Sequence, residues 1–432
     1  MILQRLNPAD HFTLVLDHEI RKSGLAGNYC ALVLELDGVP DHAEITRCCR
    51  HFASRYPLAV ARLSRQGRQY AWVSTDENSL PFHVSRLDTD DAACREQRLL
   101  AIVNQGAPVS ASAPFELHLI EATDSSLLVL RWFHPAADAK GAELVLHHLF
   151  NGLQSTQPPQ PSPVDRLQQQ WNWWRKFRLG RQAVLNIRGL DRYASVLPVA
   201  AQEPADRLAL KRVRYNTAQT EQILAHARKQ SGMTGTTLYL IGCMMRAMEA
   251  AGATQEGDAC CVPYAVNLRR RKALSPVFGN QVSFLFAQAG RDTVRSRQQL
   301  FTHLCEQNRK AIRQGLDHAM LPLMQAGSWL SLEKYGCIVR DSPSGRERSS
   351  FWFSYTGEME PEPESIAGCR VRGMYQVSPV SSPPGLGLLA SIFQGRLVLS
   401  YNCINNQAQG DWLERLTQAM TAELLDLDEI SL

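Results

Sequence analysis

The sequence predicts a mixed α/β or α+β fold, and three observations support that prediction. The chain has 432 residues, 44% of them hydrophobic, which is enough to bury more than one compact core. Strand-like and helix-like segments are mixed in both halves of the chain. Residues 151–166, NGLQSTQPPQPSPVDR, carry four prolines, which is typical of a linker without regular structure. We therefore expect two main units that separate near this segment.

The first half predicts a sheet with helices packed against it. Residues 29–37, YCALVLELD, form an apolar, partly β-branched run that ends at Gly38, as a buried strand would. Residues 42–57 have apolar side chains at the spacing of one helix face and end at Pro57. The other predicted elements are a hairpin-like region at 67–74, a helix at 91–104, two strands separated by a turn within 115–133, and a helix at 142–150.

The second half repeats this mixture. A hairpin is predicted within 387–403, with its turn at Gln394 and Gly395, and residues 293–315 have the pattern of one long amphipathic helix. The remaining predicted elements are strands at 208–216, 260–271 and 280–288 and helices at 217–232, 234–252 and 411–427. Strands and helices alternate irregularly, so the class is α/β or α+β rather than all-helical or all-β.

Charge and composition narrow the class of protein. The 46 basic and 42 acidic side chains give a net charge of +4, and no polybasic block indicates nucleic acid as the main partner. The eleven cysteines are scattered without a CxxC pair, which fits reduced thiols better than a disulfide framework or a zinc site. The apolar runs are shorter than the ~20 residues of a membrane span, and the first residues lack a signal-peptide pattern. We expect a cytoplasmic protein.

One segment, residues 127–150, carries the main chemical signal. An apolar strand pattern, LLVLRWF, ends at His134, and Asp138 and Gly141 follow as a helical pattern begins. A neutral imidazole at a strand end can accept a proton from a hydroxyl or amine near pH 7. Asp138 also fits an ordinary helix N-cap. A metal site made of His134, Asp138 and His147 has no recognised spacing, so we expect no metal.

Further segments carry a resemblance that His134 and Asp138 alone would not establish. Their order resembles that of the HxxxD-type, thioester-dependent acyltransferase and condensation superfamily, most closely its wax ester synthase/diacylglycerol acyltransferase-like and condensation-domain-like groups. Two positions depart from the family pattern: Phe133 stands where a second histidine is common, and Ala139 rather than glycine follows Asp138. The matching segments are LNPADHF at 6–12, HARKQSGMTGTTLYLIGCMMRAM at 226–248, YAVNLRRR at 264–271, FGNQVSFLF at 278–286, FSYTG at 353–357 and GLGLLASIFQGRLVLSYN at 385–402.

The resemblance implies the two-lobed, chloramphenicol acetyltransferase-like fold, in which each lobe is a mixed sheet flanked by helices. It places the N-terminal lobe at 1–160, a linker or crossover at 161–184, and the C-terminal lobe at 185–432. In this family the substrate channel lies between the lobes. His134 is therefore expected to face a channel that the C-terminal lobe completes.

The same resemblance implies transfer of an acyl group from a thioester to a hydroxyl or amine acceptor, in lipid or secondary-metabolite biosynthesis. The donor would be acyl-CoA or the phosphopantetheinyl thioester of an acyl carrier protein, and no bound cofactor is expected. His134 would act as the general base for direct attack by the acceptor. The absence of a serine or cysteine nucleophile inside the signature agrees with direct attack.

The resemblance also assigns supporting residues. Asp138 is expected to be structural and to pair with Arg269, and breaking such a buried pair costs ~3–5 kcal/mol. Gly141 is expected in the same active-site turn. The candidates for the channel wall, where the reaction's oxyanion needs hydrogen-bond donors, are Asn280, Gln281 and Ser283.

Two other functions stay open from the sequence. A free-standing condensation enzyme would form amide bonds between substrates bound to acidic carrier proteins. A catalytically silent member would bind an acyl ligand or a synthase partner without turnover. The segment WNWWRKFRLGRQ at 171–182 adds a separate question, because tryptophans next to basic residues suit a membrane interface or an anionic carrier. We favour packing of these tryptophans between the lobes, with peripheral membrane contact as the alternative.

Overall fold

The structure is a computed structural model that describes residues 1–67, 69–151, 162–198, 207–232, 235–252, 257–340, 347–404 and 411–426. Of the proline-rich segment, residues 152–161 lie outside the described residues. The last part of that segment is helical, because a helix begins at Pro163 and the Ser162 hydroxyl caps it by accepting from the N–H of Asp165 at 3.2 Å. The prediction that the whole segment lacks regular structure is therefore wrong from Pro163 onwards.

The first half contains the predicted elements in their predicted order, together with elements that were not predicted. Its elements are β1 (Ile2–Arg5), α1 (Pro8–Lys22), β2 (Tyr29–Asp37), α2 (His42–Arg55), β3 (Arg62–Gln66), β4 (Gln69–Val73), β5 (Phe82–Arg86), α3 (Ala92–Val103), β6 (Phe115–Glu121), β7 (Ser125–Phe133) and α4 (Ala139–Asn151). Among those that were not predicted are β1, α1 and β5. Both β2 and β7 are buried along almost their whole length, which explains their unbroken apolar runs.

The second half also contains the predicted strands and helices, with one division. The helix predicted at 293–315 is two helices, because the backbone at Ser296 is extended and interrupts it. The elements are α5 (Pro163–Gln170), α6 (Trp173–Leu190), β8 (Leu208–Arg214), α7 (Thr217–Ser231), α8 (Thr236–Ala250), β9 (Ala259–Asn267), β10 (Val282–Gly290), α9 (Arg291–Arg295), α10 (Arg297–Arg313), α11 (Leu316–Gly327), α12 (Leu332–Arg340), β11 (Trp352–Glu358), β12 (Ser365–Ile366), β13 (Cys369–Val377), β14 (Leu386–Phe393), β15 (Arg396–Ile404) and α13 (Trp412–Leu425).

Two six-stranded mixed sheets form the centre of the fold. The first has the order β12-β13-β2-β7-β6-β5, and the second has the order β10-β9-β11-β14-β15-β8. β5 runs parallel to β6, and β11 runs parallel to both β14 and β9, while the other pairs are antiparallel. Helices α2 and α4 cover the first sheet, and α7, α8, α10 and α13 cover the second, so each sheet has an apolar core. The predicted mixed fold of sheets flanked by helices is confirmed.

Two strands from the second half of the chain, β12 and β13, belong to the sheet of the first half. β13 pairs antiparallel with β2, from Val371 opposite Leu36 to Val377 opposite Ala31, and β12 pairs with β13. Residues 365–377 therefore belong to the sheet of the N-terminal half, although they lie far into the range predicted for the C-terminal lobe. The division of the lobes at residues 160 and 185 remains a prediction. It has to allow for residues 365–377, which lie in the sheet of the N-terminal half.

The tryptophans of segment 171–182 do not all pack as predicted. Trp171 is buried, but Trp173 and Trp174 stack on each other, with ring centroids 3.8 Å apart, and are 62% and 63% exposed. Packing between lobes is thus wrong for this exposed pair, because both side chains project from the first turn of α6 into solvent. Within the described residues, no helix has the length and apolar character that crossing a membrane requires.

Candidate active site

The backbone of His134 is held by both halves of the chain. His134 directly follows β7, whose last residue, Phe133, is fully buried and anchors the strand end. The N–H of His134 donates to the carbonyl of Asn28 at 2.9 Å, and its own carbonyl accepts from Nδ2 of Asn280 at 2.9 Å. The chain then turns through a short 3₁₀ segment, His134–Ala136. The direction in which the imidazole leaves the strand end is therefore fixed by hydrogen bonds from two sides.

The imidazole of His134 lines a cavity of about 280 Å³ between the two large sheets, which we call the His134 cavity. Its Nδ1 is buried and has no hydrogen-bond partner in the described part of the chain, so Nε2 is the nitrogen that a molecule in the cavity can reach. Burial lowers the pKa of His134, while its own carbonyl, Asp138 and the Asn280 amide offset this effect in part. The ring is therefore neutral near pH 7, the state that accepts a proton.

The Asp138 carboxylate joins the His134 turn to the second half of the chain. Its Oδ1 accepts from the N–H of Gly141 at 2.7 Å, which caps the first turn of α4. Nη1 of Arg269 lies 2.8 Å from Oδ1 and 2.7 Å from Oδ2, and the N–H of Gln281 donates to Oδ2 at 2.7 Å. The structure thus contains the contact between Asp138 and Arg269 that the sequence resemblance implied. The effect of this pair on activity remains a prediction.

Gly141 and Arg269 bring α4 against the loop that precedes β10. A Cβ atom at Gly141 would lie 2.6 Å from the carbonyl oxygen of Val277 and 3.3 Å from Nη2 of Arg269. Nε of Arg269 also donates to the carbonyl of Pro276 at 3.0 Å. No side chain fits at Gly141 without moving this backbone, so the glycine permits the close approach of α4 to this loop.

Asn280 lines the His134 cavity, as predicted, but its amide N–H groups are not available to an oxyanion. Nδ2 donates to Oδ1 of Asp10 at 2.9 Å and to the carbonyl of His134 at 2.9 Å, so both hydrogens are used. Its Oδ1 is buried without a partner among the described residues. Asn280 therefore positions the His134 backbone and presents an acceptor, where the sequence suggested a donor.

The other two predicted channel residues, Gln281 and Ser283, do not line the His134 cavity. Oε1 of Gln281 accepts from the hydroxyl of Ser162 at 2.8 Å, so this side chain ties the start of β10 to the start of α5. Ser283 is fully buried on the other face of β10, whereas Val282 and Phe284 face the cavity, because side chains alternate along a strand. Both assignments are corrected: these residues support the site from outside it.

Two buried carboxyl groups next to this site were missed in the sequence. Burial raises the pKa of Asp10 on α1 to about 7, although three hydrogen bonds from Asn280 and Asn7 oppose that shift. Burial likewise raises the pKa of Glu143 on α4 to about 7, against the opposing charge of Lys140, whose Nζ lies 2.7 Å from Oε2. Asp10 lies inside the segment LNPADHF, so a signal for it was present, whereas Glu143 falls in an ordinary helical pattern.

The opposite wall of the His134 cavity comes from β11 and β13, whose polar residues were not among the predicted site residues, although FSYTG at 353–357 was one of the matching segments. Ser354 and Thr356 on β11 and Gln376 on β13 line it, and Nε2 of Gln376 donates to Glu143 at 3.2 Å. Oγ1 of Thr356 is buried beside the Glu143 carboxyl, and this contact opposes the rise in the pKa of Glu143. No group of three or more His, Cys, Asp or Glu side chains among the described residues is arranged to hold a metal ion.

The chain was compared with known proteins. No protein-family model matches it, and no curated protein matches it. Trichothecene 15-O-acetyltransferase from Fusarium sporotrichioides is similar in structure, with 11% identity, coverage of 97% of this chain and 95% of that chain, and a TM-score of 0.69. The starter condensation domain of rhizomide synthetase, solved with C8-CoA, has 13% identity, coverage of 99% and 97%, and a TM-score of 0.67. Polyketide synthase associated protein 5 from Mycobacterium tuberculosis has 13% identity, coverage of 99% of each chain, and a TM-score of 0.65.

The chain has the two-lobed fold of these acyltransferases and condensation domains. The likeness extends over nearly the whole of each chain, which confirms the fold implied by the order of the sequence motifs. At 11–13% identity the likeness establishes the fold, and the chemistry of this chain rests on the geometry around His134.

Proposed function

We propose that the protein transfers an acyl group from a thioester donor to a hydroxyl or amine acceptor, with His134 as the general base. One observation carries the proposal: a neutral, half-buried imidazole faces a cavity between the two sheets of this fold, and both halves of the chain hold it there. The Asp138–Arg269 pair and Asn280 fix that position without occupying the reactive nitrogen.

The proposed acyl transfer uses few side chains of the protein. Nε2 of His134 accepts the proton of the acceptor, whose oxygen or nitrogen attacks the thioester carbonyl. The C–S bond then breaks, and the imidazolium returns the proton to the leaving thiolate. The hydroxyl of Thr356 is a candidate donor to the oxyanion, since it lines the cavity beside the Glu143 carboxyl.

Direct transfer, without an acyl-enzyme, is favoured by the surroundings of His134. The ring makes no hydrogen bond to a Ser, Thr or Cys side chain among the described residues, so none is activated as a nucleophile. Cys30 lines the same cavity, but burial raises the pKa of its thiol well above the usual range. A protonated thiol is a poor nucleophile, so Cys30 is a wall residue.

The donor is proposed to be acyl-CoA or the phosphopantetheinyl thioester of an acyl carrier protein. The structure of the rhizomide synthetase starter domain with C8-CoA, a protein of the same fold, supports an acyl-CoA donor. The fold is also that of condensation domains from peptide synthetases, which supports testing carrier-bound donors. Biosynthesis of lipids or secondary metabolites is the proposed setting.

Free-thiol release tests the proposal. Acyl-CoAs of increasing length are incubated with pooled alcohols or pooled amines, and the products are identified by mass spectrometry. Acceptor-dependent release should fall by about 10²–10⁴-fold in His134→Ala. His147→Ala is the matched control, because His147 lies on α4 and does not line the cavity. Equal release by wild type and His134→Ala would remove His134 as the base.

The same assay separates the two alternatives. An amide-forming condensation enzyme would accept amines only and would require carrier-bound substrates, with rates that fall as salt screens the acidic carrier. A silent binding protein would bind acyl thioesters with equal affinity in wild type and His134→Ala and would release no thiol with any donor.

A cytoplasmic protein with peripheral membrane contact is the proposed location. The exposed pair Trp173 and Trp174, together with Phe177 at 60% exposure, supports this contact, because amphipathic aromatic rings favour the membrane interface. Flotation with anionic vesicles tests it. Loss of binding in a variant with Trp173→Ala and Trp174→Ala is expected, whereas an absence of binding by wild type would end the idea.

A further inference from the structure

A second cavity, of about 650 Å³, adjoins the His134 cavity. The two cavities share five lining residues, which are Leu16, Pro263, Phe284, Trp352 and Ser381. We propose that this second space, here called the apolar cavity, holds the hydrocarbon chain of a long-chain substrate while its reacting end lies beside His134. The inference rests on the proposed acyl transfer and adds the substrate class to it.

The walls of the apolar cavity are predominantly hydrocarbon. Three elements supply its body: β10, α11 and α6. Phe284 and Phe286 point the same way because they are two positions apart on β10, and this face continues from the His134 cavity. The facing helices add the side chains of Val184, Ile187, Leu323 and Met324. Binding of a hydrocarbon chain against such a lining is favourable because it removes apolar surface from water, and the lining offers few hydrogen-bonding groups to a polar ligand.

Two ion pairs hold four of the seven charged residues that line the apolar cavity. Nη1 of Arg340 lies 2.9 Å from Oε2 of Glu19, and Nε of Arg348 lies 2.6 Å from Oδ1 of Asp191. Burial raises the pKa of Glu347 to about 7, so this carboxyl is partly neutral at physiological pH. These four charges are met within the protein, and Lys22 and Arg188 also line the cavity. The hydrocarbon walls between the charged residues are the part of the space that fits an apolar chain.

The apolar cavity also opens to the surface. Leu330 and Ile338 line it and are nevertheless 37% and 60% exposed, so they mark an opening between the end of α11 and α12. A chain can therefore extend from the reacting centre, past Phe284 and Trp352, towards this opening. Chain length is then limited by the distance to the opening and by the side chains along it rather than by a closed wall.

Binding measured without turnover tests the inference. Isothermal titration uses the full-length chain with acyl-CoAs from acetyl to palmitoyl, below their micelle concentrations, and with a parallel series of straight-chain alcohols. Affinity should rise by about fourfold per added methylene in the series that uses the cavity, until the cavity is filled. A rise with acyl-CoAs assigns the cavity to the donor chain, and a rise with alcohols assigns it to the acceptor chain.

Neighbouring residues on α6 provide a matched pair of variants. Val184→Trp would fill the apolar cavity, whereas Leu185→Trp changes a 51% exposed side chain that does not line it. Val184→Trp should weaken binding of the long chains at least tenfold and leave binding of the acetyl or shortest member unchanged. Leu185→Trp should change neither. Leu323→Trp fills the cavity from α11 and guards against a folding defect in the first variant.

The binding experiment can fail or succeed independently of the acyl-transfer assay. Affinity that is independent of chain length in both series, or long-chain binding unaffected by both filling variants, overturns the inference even if acyl transfer is observed. Length-dependent binding that the filling variants abolish supports the inference, even if no thiol is released with any acceptor. In that case only the proposed transfer fails, and the protein is a binder of apolar chains.

Discussion

Replacing Asp138 with alanine should destabilise the protein and reduce acyl transfer together. The carboxylate accepts hydrogen bonds from the N–H of Gly141, the N–H of Gln281 and the guanidinium of Arg269. The ion pair is buried, with side chains that are 1% exposed for Arg269 and 7% exposed for Asp138. Alanine therefore leaves a buried, uncompensated cation and an uncapped helix directly after the turn that carries His134.

The size of the effect follows from these contacts. Breaking a buried ion pair by removing one partner costs ~3–5 kcal/mol, and losing a helix N-cap costs about 1 kcal/mol. Arg269 keeps the carbonyl of Pro276 at 3.0 Å as an acceptor, which favours the lower end of that range. We expect Asp138→Ala to lower the free energy of unfolding by about 3–4 kcal/mol. Asp138→Asn keeps an oxygen to cap α4 and should lose about 2–3 kcal/mol.

Urea unfolding and thiol release are measured on the same preparations, with the transfer assay run well below the unfolding midpoint. The control is Asp292→Ala, because Asp292 forms an ion pair with Arg295 on the protein surface, where its side chain is 97% exposed. That variant should match wild type in both assays. An Asp138→Ala protein that unfolds within about 1 kcal/mol of wild type and keeps full activity would refute the proposed role of the pair.

Three further predictions follow from the site. Gly141→Ala should lower the melting temperature and the transfer rate, because its Cβ would lie 2.6 Å from the carbonyl oxygen of Val277, while Gly189→Ala, with open space around it, should not. The rate should be constant with pH near neutrality and fall only below about pH 6.5, because the pKa of His134 is lowered; an acid limb above pH 7 in a pH–rate profile would contradict this. Burial raises the pKa of Glu143 from 4.5 to about 7. Between these two pH values the folded state keeps a proton that the unfolded state has lost, so the free energy of unfolding falls by about 3 kcal/mol as pH rises from 4.5 to 7. Melting curves at pH 5 to 8 should therefore show a smaller decline for Glu143→Gln than for wild type, and equal declines would contradict this linkage.

Local patterns were enough to predict β2, β6 and β7 of the first central sheet and most strands of the second. β2 and β7 are buried on both faces, so their apolar runs are long and end at clear boundaries, one of them at His134. The N-cap of α4 could also be predicted from neighbouring residues, since Asp138 lies directly before the helix. These features depend on neighbours within a few residues, which a single sequence contains.

Contacts between distant segments were predicted only where the family resemblance implied them, and the other such contacts were missed. Asp138 and Arg269 are 131 residues apart, and only the order of motifs suggested their pairing. Asp10 and Asn280 are 270 residues apart, and nothing local indicated their contact. The insertion of β13 beside β2 was missed for the same reason, because strand pairing between distant segments leaves no local pattern.

Two errors arose from side-chain direction rather than from the position of an element. β10 was predicted, but both of its faces carry apolar residues, so the sequence did not show that Val282 and Phe284 rather than Ser283 face the His134 cavity. Trp173 and Trp174 were expected to pack, because large apolar side chains are usually buried, yet they project from α6 into solvent. Such directions depend on how the element is rotated against its neighbours.

The most direct test of the central claim is the rate of acceptor-dependent thiol release by wild type, His134→Ala and His147→Ala with the donor and acceptor that the panel identifies. If His134 is the general base, the first variant loses about 10²–10⁴-fold in kcat and the second keeps the wild-type rate. The melting temperature of His134→Ala should remain close to that of wild type, which shows that the loss of activity is not caused by unfolding. A His134→Ala protein that turns over at the wild-type rate would contradict the claim.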